Sequence, residues 1–510
     1  MEESKKVLRH HIKRFIYVFI CSIFISGCMV GPNFHTPDSP KVNAYNAKSL
    51  PPKTAAAAGK GGTSQTYVYG RDIPAEWWQI FHSREINELV QTGLANSPNL
   101  AAAQAALTQA QETLRAEIGN LLVPEFNLGL TGQRQRFAGS SLGSGVPSSI
   151  FNFFNGNVNV AYNLDVFGGS RRQIESYRAQ VDYQQFQLLA AYLTLTSNIV
   201  STAITIASYE SQIKATILLI KAEDGQLNIL RKQYRLGGIA NSNVLTQQTL
   251  VEQTRATLPP LQKALAQNRH ALAVLIGYYP DTPMPSINLD KLVLPKQLPV
   301  SLPSNFVRQR PDVRASEALL HSASAQIGVA TANLFPQFNI TGNYGYSSPV
   351  LPQLFGPNNK AWSIATQITQ PLFHGGALLA TRRAAIAAYD QALAQYKQTL
   401  LQAFQNTADV LRALETDART YKDSKAAEVA AYQNYIITSR QYKDGGVAYL
   451  NMLTAQQQYQ QTKLASIQAQ AQRYSDTAAL YQALGGGWWN RKYIQCPDKL
   501  NPDNASLTCP

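Results

Sequence analysis

Arg231-Lys232-Gln233-Tyr234-Arg235-Leu236-Gly237-Gly238-Ile239-Ala240 returns as Ser439-Arg440-Gln441-Tyr442-Lys443-Asp444-Gly445-Gly446-Val447-Ala448. The offset is 208, and it persists downstream. Asn243, Leu245, Thr246, Gln248, Gln253 and Thr254 match Asn451, Leu453, Thr454, Gln456, Gln461 and Thr462. Working outward, Asn120-Leu121 with Pro124-Glu125-Phe126-Asn127 matches Asn333-Leu334 with Pro336-Gln337-Phe338-Asn339. Pro98-Asn99-Leu100 matches Pro311-Asp312-Val313, and Phe167-Gly168-Gly169 matches Phe373-His374-Gly375-Gly376. Chance similarity does not keep such matches collinear, so one unit is written twice, over about 75–285 and 305–487. The proline-rich stretch 286–304 reads as the linker between the halves.

Each unit mixes two periods. Val158, Val160, Tyr162 and Leu164 alternate with Asn157, Asn159, Ala161 and Asn163, as apolar and polar faces of a strand do. The same alternation marks Phe126 to Thr131, Phe338 to Tyr346 and Trp362 to Thr369. Strands are expected at about 125–136, 153–166, 337–346 and 361–370, one hairpin per unit. A face so uniformly amide and hydroxyl suits a membrane barrel with a wet interior; an ordinary half-buried sheet has the same alternation strand by strand. Long helices are expected at about 170–235 and 377–443, Ala-, Gln- and Leu-rich windows without proline. At 1.5 Å per residue each is on the order of 100 Å long, more than a compact core needs. Return helices follow at about 241–276 and 447–484, the first broken or kinked at Pro259-Pro260. The low charge of 447–486 fits the wall of a hollow helical tube better than a two-stranded coil in water.

The 510 residues are 45% apolar but only 15% charged, with a mean hydropathy of −0.20. No second long apolar run follows the first, which excludes a polytopic helical membrane protein. That first run, Phe15 to Ile25, follows five basic residues and is too short to span a bilayer. It ends in Ile25-Ser26-Gly27-Cys28, which resembles a bacterial lipobox; an ordinary signal peptide with an incidental cysteine is the alternative. Residues 1–27 are then a signal peptide, Cys28 carries lipid, and 28–74 is an acylated extended segment. Met29 after it, with no Asp, implies outer-membrane delivery. The net charge of +14 is spread thinly over an exported chain, so nucleic acid is excluded as a partner. Cys496 and Cys509, in the tail 488–510, are expected to pair in an oxidising periplasm, with two free thiols the alternative. No HExxH, P-loop or G-x-S-x-G occurs, and the seven histidines are scattered. No catalytic or metal residues and no cofactor beyond the covalent lipid are therefore expected. Glu112, Glu117, Glu415 and Asp417 read as solvated helix charges.

Four strands cannot close a barrel, and an open edge cannot face lipid. A dimer has eight strands and a filled interior, whereas a trimer has twelve and a passage. The expected fold is an α+β membrane protein: a trimeric 12-stranded β-barrel continuing into a 12-helix barrel.

The order of these motifs resembles the TolC-like outer-membrane efflux proteins. The lipobox makes it similar to their lipoprotein branch (OprM- or NodT-like), which serves RND-type tripartite pumps. The resemblance rests on Cys28 with Val30-Gly31-Pro32, Trp77-Trp78 with Phe81, Arg310-Pro311-Asp312-Val313, Gln370-Pro371-Leu372-Phe373 and the two Gly-Gly tips. It implies a passive homotrimeric duct that carries small molecules such as drugs. Its implied partners are a periplasmic adaptor, an inner-membrane RND-type transporter and outer-membrane lipid. It also implies adaptor docking by Tyr234, Arg235, Leu236, Gly237, Gly238, Tyr442, Gly445 and Gly446, although helix capping alone accounts for the glycines. Lys443-Asp444 departs from the docking pattern that Arg235-Leu236 fits. The entrance lining maps to Asn243, Tyr449, Asn451 and Thr454, none of them charged, so packing and hydrogen bonds are expected to close it. The rivals are an exit channel for type I protein secretion and a periplasmic coiled-coil scaffold or adaptor lipoprotein. A scaffold has no use for duplicated amphipathic strand pairs.

Overall fold

A computed structural model describes residues 29–42, 44–138, 147–301 and 308–491. Cys28, Cys496 and Cys509 lie outside the described residues. The chain runs β1 (Thr66–Tyr69), α1 (Arg84–Asn96), α2 (Pro98–Leu122), β2 (Glu125–Phe137), β3 (Ser149–Leu164), α3 (Gly169–Arg235) and α4 (Asn241–Leu275). It continues through β4 (Gln297–Val300), α5 (Pro311–Ala332), β5 (Gln337–Ser348), β6 (Lys360–Thr369), α6 (Ala377–Lys443) and α7 (Tyr449–Ala483). It divides into two compact units. One falls in Met1–Pro37, Ala106–Gln184 and Ala315–Lys397; the other in Asp38–Ala105, Gln185–Arg314 and Gln398–Pro510.

The first unit holds an antiparallel sheet of order β2-β3-β5-β6. Its register puts Leu128, Val158, Tyr344 and Trp362 in one cross-strand row, and Phe126, Val160, Gly342 and Ile364 in the next. These rows share one face. The other face carries Asn127, Asn159, Asn343 and Ser363 in a row. There the Nδ2 groups of Asn343 and Asn157 donate to Asn159 Oδ1 at 2.5 and 3.0 Å. The amides thus satisfy one another across strands. On the apolar face Leu128 and Ile364 are 74% and 75% exposed, so among the described residues nothing covers these two rows.

The second unit has a conventional core. Trp77 is fully buried and stacks on Tyr481 at 5.6 Å, and Phe81 meets Tyr474 edge to face. The central stretch of α3, including Ile199, Val200, Ala203, Ile204 and Ala207, is buried there. Arg473 is also fully buried. It donates to the carbonyl oxygens of Gly61, Ala55 and Thr63 and to Thr54 Oγ1, tying the strap that precedes β1 onto α7.

Three expectations need correction, and one point the sequence left open is filled in. The stretch read as a linker folds: Ile287, Leu289, Leu292, Leu294, Leu298 and Val300 are buried, and β4 pairs parallel with β1. Its prolines masked a near-alternating apolar pattern that an edge strand tolerates. The described residues therefore hold six strands, not four. Pro259 and Pro260 lie inside an unbroken α4, because the Arg255 and Ala256 carbonyls that lose their partners belong to exposed residues that water can reach. Folded structure also passes Gly487: Trp488 is buried, and the Arg491 guanidinium sits 3.4 Å over the Tyr192 ring.

Candidate functional site

Both long helices end in the same backbone device. Gly238 N–H donates to Gln233 O at 2.9 Å and Gly237 N–H to Tyr234 O at 2.9 Å. Gly446 donates to Gln441 O at 2.8 Å and Gly445 to Tyr442 O at 3.1 Å. These are paired Schellman closures, with Gly237 and Gly445 at φ 73° and 76°. Only glycine takes that conformation without penalty, which is why the duplicated motif keeps Gly-Gly.

The side chains around the two turns diverge. Leu236 is 85% exposed and Tyr234 is 46% exposed. Tyr234 and Arg235 line an open groove of about 620 Å³ with Asn228, Arg231 and Lys232. Tyr442, the counterpart of Tyr234, turns inward against Tyr449, ring centroids 5.3 Å apart. Both belong to an apolar cluster with Leu227, Leu230, Val244 and Met452 that draws on α3, α4 and α7. Tyr449, expected in the entrance lining, is instead buried among these helices, its hydroxyl donated to Gln247 Oε1. Apolar neighbours on three helices remove it from any open face. Asn451 and Thr454 are exposed and Asn243 is half-buried, with Thr454 Oγ1 donating to Leu450 O at 3.0 Å.

Beside this cluster lies a residue the sequence reading passed over. Glu223 is fully buried. Its Oε1 accepts from Gln456 Nε2 at 3.3 Å, its carbonyl accepts from Gln247 Nε2 at 3.1 Å, and its Oε2 meets no hydrogen-bond geometry among the described residues. Burial pushes its carboxyl up to about 7. Its spacing from Leu227 and Leu230 was the available signal: four and seven residues, one helical stripe. Asp417, read as solvated, is half-buried in the same unit, near Asp476. Burial first, then the Asp417 carboxyl, hold Asp476 well above the ordinary carboxylate range.

At the other unit, the chain just after Cys28 is pinned. Val30 N–H donates to Phe167 O at 3.0 Å. The buried Arg172 donates to the carbonyl oxygens of Val30 and Gly31, to Asn33 Oδ1 and to Glu175. A side chain on Gly31 would stand 2.5 Å from Gly328 Cα, and its φ is +92°. Residues 29–33 therefore run against the β3–α3 junction, close under the sheet.

An amphipathic four-stranded sheet with an uncovered apolar face, on a chain of duplicated long helices with matched exposed turns, defines a protomer of a TolC-like outer-membrane channel. Among the described residues no three His, Cys, Asp or Glu side chains cluster as metal ligands would. The chain belongs to the outer membrane efflux protein family, whose model matches residues 89–278 and 302–486. It is 27% identical over 494 residues to the toluene efflux pump outer membrane protein TtgC of Pseudomonas putida, covering 94% of this chain and 96% of that one. It is 27% identical over 448 residues to the pyoverdine export outer membrane protein OpmQ of Pseudomonas putida, covering 86% and 94%. Among solved structures it is similar to the outer-membrane channel OprN, with a TM-score of 0.81 and 26% identity over 90% of this chain and all of that one. The protein is an efflux channel component of the outer membrane.

Proposed function

We propose that three copies assemble into one passive duct, a 12-stranded β-barrel continuing into a 12-helix tube. The observation that carries this is the sheet's order. β2 and β6 are its edges in the protomer, and an unpaired strand edge cannot stand in hydrocarbon. Pairing β6 of one copy with β2 of the next removes every edge. Two copies close eight strands around a filled interior, and three leave room for water and solute. The apolar face then meets acyl chains and the amide face lines the passage.

The duct takes small molecules from an adaptor and an RND-type inner-membrane transporter. Tyr234, Arg235, Leu236 and the Gly237–Gly238 turn form the exposed docking tip of the first hairpin, with Gly445 and Gly446 at the second. Tyr442 supports its tip from within. Asn243, Asn451 and Thr454 line the entrance with hydrogen-bonding but uncharged groups. Cys28 carries the acyl anchor, and the pinned residues 29–33 support this by holding the adjoining chain at the base of the sheet. Cys496 and Cys509 form a disulfide in the tail.

The test is the mass of the cross-linked, detergent-solubilised protein together with its conductance in planar lipid. A trimer that conducts is expected. A monomer soluble without detergent after acyl removal overturns the duct.

A further inference from the structure

The alternation in the β2–β3 hairpin changes phase partway up. From Leu164 to Phe154 the outward row of β3 is apolar, while Asn163, Asn159, Asn157 and Asn155 occupy the other face. Those eleven residues, tilted as barrel strands are, rise about 25 Å, the height of an outer-membrane apolar band. Beyond Phe154 the β3–β5 pairing stops, but β2–β3 continues from Gln133↔Phe153 to Phe137↔Ser149. In this extension the outward row holds Arg134 opposite Asn152 and Arg136 opposite Ile150, and two arginines in it place it beyond the hydrocarbon. The opposite row, amide-lined below, now holds Phe151 and Phe153 across from Gln135 and Gln133. Phe151 is 36% exposed and Phe153 half-buried. Membrane contact explains neither ring, since both stand on the face that carries amides lower down.

We propose that Phe151 and Phe153 form an apolar collar at the outer mouth of the duct, and that it selects for solutes bearing aromatic or alkyl groups over hydrated ions. This rests on the trimeric reading, in which each of three copies contributes its two rings. Apolar rings lining an aqueous passage disfavour water and hydrated ions beside them. The same rings offer π faces to aromatic solutes and organic cations. The collar is thus a last filter, set in the part of β3 that does not pair with β5.

The experiment uses full-length protein in planar bilayers, with benzyltriethylammonium added from the side of the β2–β3 loop. The unaltered channel is expected to show concentration-dependent current block. Phe151→Ser/Phe153→Ser should weaken that block about fivefold or more, while Phe151→Tyr/Phe153→Tyr, which keeps the π faces, should retain most of it. Equal block in the unaltered and Ser channels overturns the collar. Failure of the unaltered protein to cross-link as a trimer and to conduct overturns the duct itself, so the two failures are distinguishable. Trimer cross-linking of the Ser variant checks that it has folded.

Discussion

Glu223 shows what one buried acid does to a helical bundle. Its ordinary carboxyl value is 4.5, and burial among α3, α4 and α7 raises it to about 7. Gln456, Gln247 and Thr254 face it from the packed helices, with Tyr435 and Tyr449 the titratable neighbours and Asp224 next in sequence. Between these two values the folded chain holds a proton that the unfolded chain has released. Stability therefore falls as pH rises through that window and is flat above it, a loss of about 3 kcal/mol at most. Glu223→Gln, which keeps the shape and the hydrogen bond from Gln456, is expected to abolish the slope and to raise stability above pH 7. Urea midpoints followed by helical circular dichroism across pH check this, and a slope that survives the substitution contradicts it.

At the scale of elements, the two Schellman turns are matched in backbone and unequal in surroundings. No atoms lie near the Cβ positions of Gly237 and Gly445. Alanine there meets only the left-handed backbone penalty, about 1–2 kcal/mol at each turn. Gly237→Ala and Gly445→Ala should each lower the melting temperature of the hairpins, with Asn milder than Ala at both. An unchanged melt at both positions would mean the turns are not closed this way. In the sheet, Val160 shares its row with Phe126, Gly342 and Ile364. Val160→Arg is expected to cost about 2–4 kcal/mol at mid-bilayer depth. Folding efficiency into lipid vesicles measures this, and an unaffected variant would show the strand facing the other way.

In the proposed trimer the whole molecule works only as an assembly. An exposed apolar face and two open strand edges are defects in a monomer and an interface plan in a trimer. The proposed entrance residues Asn243, Asn451 and Thr454 are uncharged, and the carboxylate of Glu223 is buried. Multivalent cations should therefore block conductance only weakly, and block at submillimolar concentration would contradict this reading. The proposed acyl anchor is expected to be separable from the barrel. Cys28→Ser should yield a mature N-terminus without lipid by mass spectrometry while the barrel still inserts. Loss of insertion would make the acyl chain part of the fold.

Much of this was legible because repetition and period are properties of a string. The collinear match at offset 208 reveals the duplication. Alternation of valine with asparagine reveals strands in the first unit, and proline-free Ala- and Gln-rich runs reveal the long helices. The tertiary structure decided what depends on neighbours distant in sequence. It put Tyr442 inside and Tyr234 outside although their turns are copies, buried Tyr449 in the apolar cluster beside them, and folded a proline-rich linker as a strand beside β1. It also buried Glu223 and Arg473, whose surroundings come from helices and straps up to hundreds of residues away. A side chain's periodicity is written locally; its solvent is set by which other elements close over it.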